Sequence, residues 1–597
     1  MAALSRDLIF PDGPPPPGAE AVEEGRAAAG SVRVGDSAFL KAVDAPSEAA
    51  FKQREAAAGR VMQHAQIGYR SLARSVEAAR AIHGRTVEAG GRVDRYGICL
   101  DWSMGYPRAQ RQGRPRGTGL ILEAADQFAE IANAAPVAAH FGDFVIGTPA
   151  AFENTAAALQ AGSTAIGNLG QYFTFELPGW RDDLATTRAT VAAIALAAAQ
   201  PVPVLIHSNL DDGFAARFTD LASAFGAVLL ERYVVEELLG GRVSHCYGHT
   251  FSEPVGRFAF QRALAQSASA TGGGAPGTMV YGNTTGFGAD AAENYAALAA
   301  YLAIDIQAQR LAATGHAVHP VPLTEAERIP DIDEVVAVQI FCAKLAARLD
   351  GAEGLVDPAP ADALADRLIE GGTRFKQAVL QGMEQAGVDI RDPLHLLLAI
   401  RRVGAKRLEA LFGPGAAEPG GPNGRRPIAP SPVLAEISDR AAAALAALDD
   451  EARDAVRAAR LRLVTATTDV HEYGKRLLDE TLTALDAELI DGGVSTDPDA
   501  LAEAARGADA VLLSTYNGVA LDYLQRLKAE LGARGITAPV FVGGKLNQIP
   551  TDSNSGLPVD VSGELTQEGA VVCRTIEELY GPLTAIATAK RKKEGAP

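Results

Sequence analysis

One pattern constrains this chain more than any other. Through most of its length, Ala-rich stretches with helical periodicity alternate with short apolar runs bounded by Gly, Pro or polar residues. Parallel strands need a long crossover between neighbours, so this alternation predicts repeated βα units around parallel sheets. In the larger, amino-terminal part, candidate strands lie at 93–102, 136–142, 163–170, 203–209, 227–233, 242–249, 278–285 and 316–323. Eight such strands close a TIM-type (β/α)8 barrel, in which chemistry sits at the carboxyl ends of the strands. Polar residues stand there in several runs: Asp101, His140, Asn168, His207, Arg232, His249 and Asn283.

Breaks in composition predict the domain organisation. Residues 1–50 form an extension with a Pro-rich lead-in at 11–18, and 51–412 carry the barrel. The stretch 413–432 is too rich in Gly and Pro for packed helix or central strand, and reads as a flexible linker. The segment 433–590 opens with a helical stretch and then offers strands at 461–468, 487–493, 510–516, 538–544 and 570–575. That spacing predicts a doubly wound, flavodoxin-like α/β domain, where ligands bind beyond the carboxyl ends of the strands at the switch point. Residues 591–597 are a basic, solvated tail.

Charge and cysteine usage narrow the function classes. Lys and Arg number 55 against 73 Asp and Glu, a net charge of −18, which argues against nucleic acid as a partner. No uninterrupted apolar run is long enough to predict a membrane span, and the first residues lack the apolar core of a secretory signal. Cys99, Cys246, Cys342 and Cys573 are far apart, so neither a disulfide framework nor a Cys-X-X-Cys zinc site is indicated. The expectation is a cytoplasmic enzyme.

The loop after the first carboxyl-terminal strand reads Asp469-Val470-His471-Glu472-Tyr473-Gly474. A His at a sheet edge can ligate a metal, and an Asp two residues earlier can accept a hydrogen bond from its other ring nitrogen and fix the tautomer. Gly474 lets the backbone approach a bulky group. An Asp helix cap with an incidental His fits the hexapeptide equally well. Two further strand ends, Leu513-Ser514-Thr515-Tyr516 and Val542-Gly543-Gly544-Lys545, carry small residues that leave a slot for a long, flat group.

These motifs, in this order, resemble the cobalamin-binding domain of the adenosylcobalamin-dependent carbon-skeleton mutases, whose pattern is Asp-X-His-X-X-Gly, Ser-X-Leu and Gly-Gly. The likeness covers essentially 460–585, and 492–505, 514–518 and 541–545 are similar to the small subunit of glutamate mutase. The Leu of Ser-X-Leu is absent or shifted here. The resemblance implies adenosylcobalamin as cofactor, with His471 as the cobalt ligand and Asp469 orienting it. It further implies that Val470, Gly474, Ser514, Thr515, Tyr516, Gly543 and Gly544 line the cofactor site. Such enzymes rearrange a small carboxylic acid by radical chemistry, glutamate or 2-methyleneglutarate being examples. A homo-oligomer such as a dimer, and a reactivating chaperone, belong to the same expectation.

Substrate residues are sought in the barrel. Arg108, Arg111, Arg114 and Arg116 crowd the loop after the first candidate strand, and guanidinium forks suit a carboxylate. Arg108, Arg111 and Arg116 are the candidates to bind it, although a solvated basic loop has the same composition. Glu176 could meet an ammonium or orient an Arg. His207, His245 and Tyr247 are candidate catalytic residues that could donate hydrogen bonds to substrate or corrin, or simply fill the core. His245 and His249 have zinc-like spacing, but on a strand end rather than a helix face. Two other enzyme classes compete, a corrinoid methyltransferase and a cobalamin-binding aminomutase. A cobalamin-sensing regulator would need a DNA-binding module, which the acidic α/β segment does not resemble.

Overall fold

The computed structural model describes residues 4–270, 276–282, 284, 287–288, 290–419, 421–468, 472–516, 518–550 and 558–594. The chain is a mixed α/β protein with parallel sheets. It divides into two compact units, the first ending at Pro432 and the second beginning at Val433, with Pro178–Arg181 counted in the second.

In the first unit the strands are β1 (His64–Ile67), β2 (Arg95–Ile98), β3 (Ala138–Phe141), β4 (Ala165–Ile166), β5 (Leu205–Asn209), β6 (Val243–Cys246), β7 (Met279–Val280) and β8 (Ala317–Val318). They form parallel sheets β1-β2-β3, β4-β5-β6 and β7-β8. Single parallel bridges, Tyr247 with Val280 and Gln63 with Val318, connect β6 to β7 and β8 to β1. Each crossover contains helix, and several start at an Asp whose carboxylate accepts from the first free N–H groups: Asp182, Asp220 and Asp290. One continuous apolar core, from Ile9 to Ala429, lies beneath these helices.

Three expectations change here. The run 227–233 is not a strand, because it belongs to the helix Leu221–Arg232. That helix is buried almost all round, so its apolar run has no polar face by which to tell helix from strand. The eighth strand is instead β1, whose two apolar residues, Ala65 and Ile67, alternate with His64 and Gln66. Nor is 413–432 a free linker. Arg425 donates to the carbonyls of Ala410, Leu411, Gly413 and Gly415, and the Asp220 carboxylate receives the N–H groups of Ile428 and Ala429. The amino-terminal extension is likewise packed, with Ile9 and Phe10 buried and His395 held by the carbonyls of Pro15 and Pro16.

The second unit contains β9 (Arg462–Thr467), β10 (Glu488–Asp491), β11 (Ala510–Thr515), β12 (Val540–Gly544), β13 (Asn547–Gln548), β14 (Val559–Asp560) and β15 (Val571–Cys573). The five expected strands form one parallel sheet in the order β10-β9-β11-β12-β15, while β13 and β14 pair antiparallel beside it. Its apolar residues form cores of their own around Val511 and Leu512. Helix Tyr580–Glu594 continues into the segment expected as a solvated tail. Among the described residues no helix is long and apolar enough to cross a membrane.

Candidate functional site

In the second unit, β9 and β11 are neighbours although β10 lies between them in sequence, so the connections from β9 and from β11 leave in opposite directions along the sheet. The gap they leave is at the carboxyl ends of these strands. Ser514 stands opposite Thr467 on one side and Gly543 on the other, and Thr515 stands opposite Gly544. Gly474 opens the helix Tyr473–Ala484 at the same end, and a Cβ there would collide with the Ser514 hydroxyl. Gly544 has φ +96°, and any side chain on it would meet the Thr515 carbonyl. The Thr515 hydroxyl is buried with no hydrogen-bond partner among the described residues, a costly state that an incoming polar group would relieve. Tyr516, next along, is 38% exposed. Asp469, Val470 and His471 lie outside the described residues, between β9 and the Gly474 helix in the sequence.

In the first unit a layer of polar side chains shares one face of the strands. Arg95 on β2 is fully buried; its Nε donates to Glu48 Oε1 at 2.9 Å and its Nη1 lies 3.3 Å from His64 Nδ1. Lys52 lies 3.5 Å from the same carboxylate and donates to the carbonyls of Thr278 and Gly315. His140 Nδ1 donates to the Ala165 carbonyl at 2.8 Å, and His207 Nδ1 lies 2.7 Å from the Thr278 hydroxyl. The His140 and His207 rings are 4.5 Å apart, and those of His64 and His319 are 5.0 Å apart. Glycines make the space: a Cβ on Gly167 would press on both His140 and His207, and one on Gly97 would strike Gln66 and His64.

Burial keeps these imidazoles neutral. His64, His140 and His207 are held well below the usual range, chiefly by desolvation and then by neighbouring positive or imidazole groups. His319 is pushed down to about 3 by the same cause. Among the described residues, four ring nitrogens in this layer have no partner: His64 Nε2, His140 Nε2 and both of His319. Lys52 is lowered to about 8 by burial, against the pull of Glu48. Beyond β7, the Tyr281 hydroxyl donates to Glu325 Oε1 at 3.2 Å, and burial raises that carboxyl to about 7.

The residues singled out in the sequence do not all meet. His207 belongs to the layer just described. His245 is one residue out of phase with it, points to the opposite face, and binds Glu231 through Nε2 at 2.8 Å. Tyr247 is fully buried against Phe251, Phe260 and His316, and its hydroxyl has no partner. Arg111 is buried and gives its guanidinium to the carbonyls of Leu122, Met104 and Tyr106, so it holds its own loop in shape. Arg108, Arg116 and Glu176 are exposed, and Arg114 stacks on Tyr106 at 5.3 Å. Asp101 caps its loop through the N–H groups of Ser103, Gly117 and Gly119. Sequence reasoning missed Glu48, Lys52, Arg95, His64, His319, Tyr281 and Glu325. Only the unusual polarity of the β1 run could have flagged any of them.

Among the described residues, no group of three or more His, Cys, Asp or Glu is arranged to hold a metal ion. Compared with known protein families and with curated proteins, the chain finds no match.

Proposed function

We propose that the chain is an adenosylcobalamin-dependent carbon-skeleton mutase acting on a small carboxylic acid, with glutamate and 2-methyleneglutarate as the first substrates to try. One observation carries the reading. Gly474, Ser514, Thr515, Gly543 and Gly544 converge at the carboxyl ends of β9, β11 and β12, and His471 precedes Gly474 by three residues in the sequence. The order β10-β9-β11-β12-β15 supports a flavodoxin-like domain with its switch point at that place. The eight parallel strands of the first unit, with bridges from β6 to β7 and from β8 to β1, support a (β/α)8 barrel.

The residues present fit the cofactor. His471 would hold cobalt, Asp469 would orient the imidazole, and Val470 would complete the loop. The glycines at the strand ends and the buried, unpaired Thr515 hydroxyl suit the nucleotide tail, with Ser514 and Tyr516 alongside. When bound, the cofactor supplies a radical that abstracts hydrogen from substrate. The chain's own residues supply the rest. Exposed Arg108 and Arg116 offer guanidinium forks to a carboxylate, while Arg111 fixes their loop. The buried imidazoles, neutral at working pH, carry polar contacts without adding charge. Glu325, titrating near neutrality and held by Tyr281, is suited to hold a proton from a substrate amine or hydroxyl.

The test uses the full-length chain. Titration with adenosylcobalamin should give saturable binding, and the cobalt(II) form should show nitrogen coupling from His471 in its paramagnetic spectrum. His471→Ala should lose that coupling, and Asp469→Asn should weaken binding by ~10-fold or more. NMR of the loaded enzyme with each candidate acid should show rearrangement. Absence of corrinoid binding, or unchanged coupling in His471→Ala, would remove the basis for this reading.

A further inference from the structure

A cavity of about 360 Å³ opens at the amino-terminal ends of β6, β7 and β8, the end of the strands away from Tyr281 and Glu325. On its wall stands Arg232, the last residue of the helix Leu221–Arg232 and only 8% exposed. Its Nη1 donates to the Ser267 hydroxyl at 2.8 Å, and its Nε has no partner among the described residues. Among the described residues no carboxylate forms an ion pair with it; Glu236 acts on it only at longer range. The adjacent Glu231 cannot serve, because its two oxygens are committed to Ser208 at 3.0 Å and to His245 at 2.8 Å. His245 itself is 2% exposed, lines the same cavity, and leaves Nδ1 without a partner.

A buried cation without a counterion is destabilising, and the cavity beside Arg232 is where compensation can enter. One guanidinium calls for one negative charge. Its planar fork matches a carboxylate. Val243, Leu264 and Ala56 make part of the wall apolar, so the charge should come with a short hydrocarbon body. The volume lies within the range of small-molecule pockets, ~300–1,000 Å³. Gln53 at the rim is exposed, which gives entry from solvent.

We propose that this cavity binds a small monocarboxylic acid, its carboxylate on Arg232, its body against Val243 and Leu264, and His245 Nδ1 as a second polar contact. The site is separate from the proposed substrate site and does not depend on the cofactor reading. Isothermal titration of the full-length chain with sodium butyrate should show one saturable site, with inorganic phosphate in a parallel titration separating an organic acid from a bare anion. Phosphate should bind at least ~10-fold more weakly, since it gains nothing from the apolar wall. Arg232→Met should weaken butyrate at least ~10-fold. Without ligand its melting temperature should equal or exceed that of the wild type, because a buried charge is replaced by an apolar chain. Ala56→Phe, which fills the cavity and leaves the arginine in place, should also abolish binding and decides the matter if Arg232→Met does not fold. No heat with butyrate, equal affinity for phosphate, or undiminished butyrate binding in either variant overturns the proposal.

Discussion

Glu48 holds two buried cations at once, Arg95 through a 2.9 Å hydrogen bond and Lys52 at 3.5 Å. Replacing it with Gln leaves both cations without a counter-charge, and breaking a buried pair from one side costs about 3–5 kcal/mol. Lys52→Met removes one cation and leaves the Arg95–Glu48 pair intact, so urea denaturation should show a much smaller loss. The reverse ranking would refute the shared-carboxylate picture. The pH dependence has a definite sign. Lys52 titrates at about 8 when folded against 10.5 otherwise, so the unfolded chain binds more protons between those values and stability should rise with pH there. Lys52→Met should flatten that rise. Glu325 behaves oppositely, since its carboxyl is raised from 4.5 to about 7 and the folded chain holds the extra proton. Stability should fall as pH climbs through that window, and Glu325→Gln should remove the fall. Glu48 and Lys52 are four residues apart on one helix, a spacing the sequence does show, but Arg95 is 47 residues from Glu48 and 31 from His64, so nothing local marks the pair as buried around a third charge. That Ser514 and Gly543-Gly544 stand together at the strand ends was legible because each closes a recognisable apolar strand.

At the scale of elements, Asp220 is one of the anchors of the segment 413–432, beside Arg425. Asp220 caps its own helix at Ala222 and accepts from Ile428 and Ala429. Asp220→Ala strips three N–H groups of their acceptor, those of Ala222 and Ala429 being buried, at about 1–3 kcal/mol for each buried group left unsatisfied. The expected result is a lower melting temperature and new proteolytic cleavage within 413–432; a variant as resistant as the wild type would show that Arg425 alone suffices. Gly and Pro content reported the lack of regular structure in this segment correctly, yet said nothing of side chains elsewhere that anchor it. The same limit explains the two misread elements. The apolar run at 227–233 is helical because every face of that helix is covered, and periodicity is silent when all faces are buried. The strand β1 went unseen because His64 and Gln66 face a polar layer, so a buried strand there is not an apolar run. The five strands of the parallel sheet in the second unit were legible, since that sheet is packed by Val, Leu and Ala on both faces, whereas the two-residue strands β13 and β14 were not.

For the whole molecule, the two units have separate apolar cores, one organised around residues such as Phe225 and Leu397, the other around Val511 and Leu512. Separate cores allow separate cooperative transitions. Scanning calorimetry of the full-length chain should therefore resolve two endotherms. Residues of the proposed cofactor site all belong to the second unit, so adenosylcobalamin should raise one endotherm and leave the other where it was. Binding linkage sets the size: at 100 times the dissociation constant a ligand adds about 2.7 kcal/mol to the unit that binds it. Leu512→Ala, which opens a hole in the second core, should lower the cofactor-sensitive endotherm selectively, by about 2–5 kcal/mol. Butyrate offers the complementary measurement, because Arg232 and His245 belong to the first unit and should move only its endotherm. A single transition that both ligands shift together would mean that the units unfold as one, and the assignment of each ligand would then rest on the Arg232 and His471 variants alone.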